Sequence, residues 1–217
     1  MRHRPPAQSR RRVAGWRANG TSSLAKGLGL LDAFSLERPK LTLAELTAAS
    51  GLPRATVHRL LSALRALGYV HYDPPTRQFR LGYKLLERGY LVAEQIDLRP
   101  VARPHLERLR DDTGETVSLQ VVDGDEGVYV EKLEPLAGFQ LWTRVGMRRP
   151  LHAGCSMKVL LAHLPPQRIE AILQRGLPRL TRLTITNPDA LRRDLATIRA
   201  QGYSVSFGES HDGVHGV

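Results

Sequence analysis

Apolar residues recur at helical spacing soon after the start of the chain. They begin just past Ser22 and fall four or three positions apart, as on one face of an amphipathic helix. Thr42 and Glu45 then predict a second, short helix, because a hydroxyl followed three positions later by a carboxylate forms a capping box. The apolar stripe of the first helix consists of Leu24, Leu28, Leu31 and Phe34.

The third predicted helix has the strongest pattern in the chain. Pro53 suits its first turn, where a missing N–H costs little, and Gly68 suits its end. No acidic residue lies between Ala55 and Ala66. The apolar stripe consists of Val57, Leu60, Leu61, Leu64 and Leu67. The opposite face and its flanks carry Arg54, Ala55, His58, Arg59, Ser62 and Arg65.

Two short strands are predicted after this helix. They are Tyr69–Tyr72 and Gln78–Leu81, joined by a turn that ends in Arg77. Three helices followed by a β-hairpin predict a winged helix-turn-helix over residues 21–82, in which the third helix enters the major groove of DNA. The predicted DNA-binding residues are Thr42, Arg54, Ala55, Thr56, His58, Arg59, Arg65 and Arg77.

Positive charge is concentrated in the same part of the chain. The net charge is +11, and residues 1–20 contribute six arginines and no acid. Residues 21–82 hold eight basic and four acidic residues, whereas residues 101–217 hold fifteen and fourteen. This asymmetry favours an N-terminal domain that binds a polyanion and that follows a disordered basic tail over residues 1–20. The alternatives are a solubilising surface and an ordinary helical bundle with a solvated basic face.

The rest of the chain predicts a linker helix and an α+β domain. Residues 83–100 form a charge-balanced amphipathic helix, and residues 101–217 combine helices with a largely antiparallel sheet. The predicted strands are Thr116–Val122, Val128–Leu133, Phe139–Val145 and Tyr203–Phe207. The predicted helices are one that ends at Gly114, Ser156–Leu164, Gln167–Arg175 and one that runs from Asn187 to Gly202.

Composition excludes several classes of protein. A hydrophobic content of 41% supports a packed core, and the single cysteine excludes an intramolecular disulfide. No apolar run approaches the roughly 18 residues that cross a bilayer. The N-terminal arginines are not followed by the apolar stretch of a secretory signal. We therefore expect a cytoplasmic protein with no membrane partner.

Several motifs, in order along the chain, resemble the IclR family of bacterial transcriptional regulators over about residues 22–217. The resemblance implies a winged helix that dimerises on a double-stranded DNA operator and a GAF-like α/β sandwich that binds a small-molecule effector. It also implies a homodimer or a homotetramer. The matching segments are Leu43–Leu46, Ser50–Leu61, Leu67–Tyr69, Gly146–Ala153, Gly202–Tyr203 and Gly208–Glu209.

The same resemblance implies an effector site in the C-terminal domain. In the family, the loop from the third strand through the Pro-Leu-His segment lines the pocket. Met157 stands where the family usually has glycine, so the pocket floor is expected to differ in shape. Family members continue beyond the position of Val217, so we expect a C-terminally truncated domain with an incomplete sheet. The implied effector-binding residues are Leu141, Trp142, Arg149, Cys155, Ser156 and Ser206.

The residues themselves leave the ligand chemistry open. Arg149 and the helix start at Cys155 and Ser156 favour a small organic acid, because guanidinium and free helix N–H groups bind carboxylates. In the alternative interpretation, Cys155 is a small buried residue and Arg149 a surface charge. A further alternative is a DNA-binding protein whose second domain serves only oligomerisation.

His152 and Cys155 also raise the possibility of catalysis or metal binding. A thiol with a histidine base would make a nucleophile, and a third ligand such as Glu209, His211 or His215 would make a metal site. No third group is placed to orient His152 as a base, and Gly213 disfavours the helix that would align the last two histidines. We therefore expect no enzyme, no metal and no cofactor.

Overall fold

The computed structural model describes residues 22–135 and 141–217. It divides the chain into two compact units, one that ends at Gln95 and one that begins at Ile96. The predicted tail over residues 1–20 lies outside the described residues. No helix in the described ranges is long and apolar enough to span a membrane.

The first unit combines four helices with a small antiparallel sheet. Its strands are ordered β1-β3-β2, and an apolar core that includes Val57, Leu61 and Phe79 joins the sheet to the first three helices. This arrangement is the predicted winged helix-turn-helix. The elements are α1 (Ser23–Leu31), β1 (Lys40–Thr42), α2 (Leu43–Ser50), α3 (Arg54–Ala66), β2 (Val70–Asp73), β3 (Gln78–Leu81) and α4 (Lys84–Glu94).

The buried face of α1 differs from the prediction. Leu24 and Leu28 are exposed, whereas Gly27 and Leu30 are buried. The helix is therefore turned by about a quarter of its circumference from the orientation that its leucines suggest. Packing on α3 sets the buried face, since Gly27 faces Leu60 of that helix.

The strand β1 is absent from the sequence prediction, which places only a break before Thr42. It pairs with β3 from Lys40, opposite Arg80, to Thr42, opposite Gln78. Leu41 is buried in this strand. Three residues with a proline before them carry too little alternation to be recognised without their partner strand.

The predicted linker region forms parts of two helices. Helix α4 ends at Glu94, and the next helix begins at Leu98 and runs without interruption to Thr113. The boundary between the compact units falls between these helices. The sequence prediction joined the start of the second helix to the linker because the apolar stripe runs as far as Ile96 and the helix was expected to end near Pro100.

The second unit is built around a three-stranded antiparallel sheet ordered β4-β5-β6. Helices α6, α7 and α8 share an apolar core with Leu151. Residue pairs along β5 and β6 include Glu126 opposite Pro150 and Gly127 opposite Arg149. The elements are α5 (Leu98–Thr113), β4 (Val117–Asp123), β5 (Glu126–Leu133), β6 (Arg148–Pro150), α6 (Cys155–Ala162), α7 (Pro166–Gln174), α8 (Pro188–Gln201), β7 (Ser206–Phe207) and β8 (His215–Gly216).

The predicted strand Phe139–Val145 is wrong over its described part, residues 141–145. The third strand is β6, which begins only at Arg148. A turn separates it from the preceding loop, because Gly146 adopts φ 83° and donates its N–H to the carbonyl of Tyr129. Pairing with β5 starts after this turn, so the apolar residues before it belong to an irregular loop.

The predicted strand Tyr203–Phe207 is also shorter than expected. Only Ser206 and Phe207 are in a strand, paired with the unpredicted β8. Two threonines hold the following residues in place. Thr181 donates its hydroxyl to the carbonyl of Gly208 (2.7 Å), and Thr184 donates to the carbonyl of Glu209 (2.7 Å).

Candidate DNA interface and effector cavity

The candidate DNA interface is the exposed face of α3. Its opposite face is fixed by burial of Val57, Leu60, Leu61 and Leu64, so the remaining side chains point to solvent. The predicted residues on α3 are exposed except for Thr56, which is half-buried. No ion pair in the described ranges involves Arg54 or Arg59, so both guanidinium groups are available to phosphates or base edges.

Arg77 lies at the tip of the β2–β3 hairpin. It is the one non-glycine residue with a positive φ (54°) in the part of the chain that the structure describes. Asp73 at the base of the turn accepts a hydrogen bond of 2.6 Å from the hydroxyl of Thr76. The hairpin therefore holds an exposed arginine in a defined position, as expected for a wing that contacts the DNA backbone.

Two other predicted DNA-binding residues have partners within the protein. The hydroxyl of Thr42 accepts a hydrogen bond from the N–H of Glu45, and the N–H of Thr42 donates to the Glu45 carboxylate (2.8 Å), which completes the predicted capping box. Together with Arg38, these contacts hold the pKa of Glu45 below its usual value. At the C-terminal end of α3, the guanidinium of Arg65 lies 6.0 Å from the ring centre of Tyr72 in β2.

The second unit contains a cavity of about 260 Å³ between the sheet, the start of α6 and the C-terminal residues. All six predicted effector-binding residues lie on its wall: Leu141, Trp142, Arg149, Cys155, Ser156 and Ser206. The structure therefore brings together side chains from the loop before β6, from β6, from α6 and from β7. Whether they bind an effector stays a prediction.

Arg149, Trp142 and His211 form a cluster at this cavity. The guanidinium carbon of Arg149 lies 4.5 Å from the ring centre of Trp142, and the rings of Trp142 and His211 are 3.9 Å apart. Arg149 Nη2 lies 3.3 Å from His211 Nε2. Burial and the nearby Arg149 charge lower the pKa of His211 to about 4, so this histidine is neutral at pH 7.

The wall of the cavity carries positive charge and no acidic group. Its described residues include Arg149 but neither aspartate nor glutamate. Tyr129 also lines it, and burial raises the pKa of this phenol. An anion in this cavity would therefore meet a guanidinium and hydrogen-bond donors, and no aspartate or glutamate is among the described residues of the wall. Sequence reasoning missed Tyr129 and assigned His211 only to a possible metal site.

A buried lysine connects the two segments that frame the cavity. Lys158 is 1% exposed, and its ammonium lies 2.7 Å from a carboxylate oxygen of Glu209 and 2.9 Å from Asp194. The other oxygen of Glu209 accepts a hydrogen bond of 3.3 Å from the N–H of Gly154. The start of α6 is thereby tied to the residues that follow β7.

Met157, which lies on the cavity wall, is in close contact with Gly127 of β5. Met157 is 1% exposed and packs in the core beneath the cavity wall. A Cβ on Gly127 would overlap the sulfur of Met157, so the methionine occupies the space that a side chain on β5 would need. The expectation that Met157 shapes the floor stays a prediction, and this contact supports it.

The possible catalytic and metal-binding residues are not arranged as those chemistries require. His152 is buried, its Nε2 lies 2.9 Å from the carbonyl of Pro178, and burial lowers its pKa. Within residues 22–135 and 141–217, no three His, Cys, Asp or Glu side chains lie close enough together to hold a metal ion. Cys155, a free thiol, lies against Gly216 on the cavity wall.

Comparisons with known proteins agree with this division into two functional parts. The family model of the bacterial transcriptional regulator IclR C-terminal domain matches residues 90–217, and that of the IclR helix-turn-helix domain matches residues 23–74. The chain is 38% identical over 192 residues to the HTH-type transcriptional regulator KipR of Bacillus subtilis (strain 168), covering 88% of this chain and 76% of that protein.

Two further relatives extend the comparison. The HTH-type transcriptional regulator XynR of Escherichia coli (strain K12) is 36% identical over 193 residues, covering 88% of this chain and 77% of that protein. The crystal structure of an IclR homologue from Microbacterium hydrocarbonoxydans, complexed with 4-hydroxybenzoate, is 32% identical with a TM-score of 0.77, covering 89% of this chain and 80% of that chain. The matched proteins are regulators rather than enzymes, and this chain belongs to the IclR family of bacterial transcriptional regulators.

Proposed function

We propose that this regulator binds a small organic acid in the cavity of its second unit and changes its operator binding in response. The observation that carries the proposal is the position of Arg149 beside Trp142 and a neutral His211 on a cavity wall whose described residues include no aspartate or glutamate. A carboxylate could pair with the guanidinium while its carbon skeleton contacts the tryptophan. The N-terminus of α6, which opens with Cys155 and Ser156, adds free N–H groups on the same wall.

The solved relative that contains 4-hydroxybenzoate supports this class of ligand. That compound combines a carboxylate with a flat ring, which suits an arginine next to an aromatic side chain. We therefore expect aromatic and short aliphatic acids to bind better than neutral compounds of the same size.

On the DNA side, we propose that Thr56 and Arg59 reach base edges in the major groove while Arg54 and Arg77 contact the backbone or the minor groove. Helix α3 presents its exposed arginines without an intervening acid, which favours a polyanion. The protein would act on operators in the cytoplasm, where bacterial DNA lies.

We further propose that the regulator works as a homodimer or homotetramer on a near-palindromic operator. Apolar side chains on the first unit support this, because Leu24 of α1 and Leu86 and Tyr90 of α4 are each more than 60% exposed. Such exposure is typical of a surface that another copy covers. Two copies would then place their α3 helices on half-sites about one helical turn apart.

The decisive experiment combines calorimetry with an operator-binding assay. An operator is first selected from a random DNA library, and benzoate, 4-hydroxybenzoate, lactate and neutral benzamide are then titrated. We expect an acid to bind and to shift operator affinity, and Arg149→Gln to weaken acid binding about tenfold or more. Arg148→Gln is the matched control, because Arg148 lies next to it on β6 but pairs with Asp123 and Glu126 outside the cavity.

Two outcomes would contradict the proposal. If only the neutral amide binds, the cavity does not recognise an anion. If no compound binds while operator binding and oligomerisation are intact, the second unit serves only oligomerisation.

Light scattering that shows a monomer bound to a single half-site at full affinity would contradict the dimeric arrangement.

A further inference from the structure

Thr143 is a buried residue of the cavity wall whose side chain has an unusual environment. It lies in the loop before β6, next to Trp142, and is 6% exposed. Its hydroxyl has no hydrogen-bond partner in the part of the chain that the structure describes. The other two buried threonines, Thr181 and Thr184, both donate to backbone carbonyls.

An unpaired buried hydroxyl is unfavourable, because the group has lost its water partners without gaining others. Valine has nearly the same shape and would remove this penalty. A threonine at such a position is therefore explained if its hydroxyl is paired in another state of the protein. Since Thr143 lines the cavity, a rotation of its side chain towards a bound ligand would provide that partner.

We propose that Thr143 is a specificity-determining residue whose hydroxyl pairs with a second polar group on the effector. This rests on the proposed function, in which Arg149 binds the carboxylate of the ligand. The preferred effector is then a small acid with a further hydroxyl or carbonyl group, rather than a plain carboxylic acid. A site built to hydrogen-bond a ligand group discriminates against the analogue that lacks it, because its own polar atom is then left unpaired.

The test compares pairs of acids that differ by one hydroxyl: benzoate with 4-hydroxybenzoate, and propionate with lactate. Binding to the full chain is measured by calorimetry for the unchanged protein, Thr143→Val and Thr143→Ser. In at least one pair we expect the unchanged protein to prefer the hydroxylated acid about fivefold to tenfold. Thr143→Val removes this preference, whereas Thr143→Ser, which keeps the hydroxyl, retains it.

A second measurement needs no ligand. Removing an unpaired buried hydroxyl should raise the melting temperature of the free protein, so Thr143→Val melts above the unchanged protein. Ser204→Ala is the matched control, because its hydroxyl is also buried without a partner but does not line the cavity. It should not alter the preference between the two acids of a pair.

The outcomes separate this inference from the proposed function. If acids bind but the unchanged protein shows no preference for hydroxylated members, or Thr143→Val keeps the preference, the assignment of Thr143 is wrong while the effector proposal stands. If Thr143→Val melts below the unchanged protein, the hydroxyl is paired in the free state and the inference is also wrong. If no acid binds at all, the effector proposal fails and this inference fails with it.

Discussion

The arginines of α3 and of the hairpin tip differ from many arginines of the second unit in whether they have carboxylate partners. In the first unit, Arg54, Arg59 and Arg77 are exposed and take part in no ion pair among the described residues. In the second unit, many arginines are paired with acids across the surface, as Arg148 is with Asp123 and Glu126. Unpaired charge on a folded surface is available to a ligand, whereas paired charge mainly contributes to the fold.

The largest effect is a loss of folding stability, which is expected when one partner of a buried ion pair is removed. Lys158→Met leaves the buried carboxylate of Glu209 without its ammonium partner and should lower the free energy of unfolding by about 3–5 kcal/mol. Denaturant unfolding measures this value. The control is Arg59→Ala, which should stay within about 0.5 kcal/mol because its side chain is exposed and unpaired. Equal losses in both variants would remove the distinction between the two kinds of charge.

The next largest effect concerns DNA recognition. Arg59→Ala should weaken binding to the selected operator by about 1–3 kcal/mol and relax its sequence preference, because a side chain on a base edge carries sequence information. The measurement compares the operator with random DNA at one salt concentration. An equal loss on both DNAs would show that Arg59 contacts only phosphate.

A smaller loss of DNA affinity, equal for all DNA sequences, is expected when the arginine at the hairpin tip is replaced. Arg77→Gly removes the charge and suits the positive φ of this position, so the fold is not penalised. Operator and random DNA should lose affinity alike, and the slope of log affinity against log salt should become shallower by about 1. Arg77→Lys keeps the charge and should keep the slope. A specific loss on the operator alone would assign Arg77 to base recognition.

The smallest effect is the pH dependence contributed by His211. The pKa of His211 is about 4 in the folded protein, whereas its ordinary value, taken for the unfolded chain, is 6.5. Between these two pH values the unfolded chain therefore binds more protons than the folded protein. The contribution of His211 to stability is therefore complete above pH 6.5 and is lost as the pH falls towards 4. Melting temperatures from pH 7 to 4 should fall less steeply in His211→Gln than in His105→Gln, where the exposed α5 histidine is replaced.

The first unit could be predicted well because its pattern is local. The stripe on α3 fixes the buried face within the helix itself, and the structure confirms its apolar residues, except for the exposed Leu67. The prediction was wrong where tertiary contact overrides the pattern. Gly27 of α1 faces Leu60 of α3, and hydrophobic spacing within α1 does not show this contact.

The cavity could be predicted only in part, because distant segments assemble it. The six residues taken from the family resemblance meet on one wall, but Thr143 and Tyr129 were missed. No periodicity shows that a threonine in an irregular loop is buried without a partner. The neutral state of His211 likewise depends on Arg149, which is 62 positions away in the chain.

The contact between Met157 and Gly127 also constrains how this protein can evolve. A side chain gained at Gly127 overlaps the methionine, and a shorter residue at Met157 leaves a void, so either change alone destabilises the fold. A side chain at Gly127 combined with a shorter residue in place of Met157 should cost less than the two single changes summed, so their effects are expected to be non-additive. The two positions are therefore expected to be inherited as a pair. Selection for stability would then keep the Met157 side chain on the cavity wall through periods when no ligand selects for it.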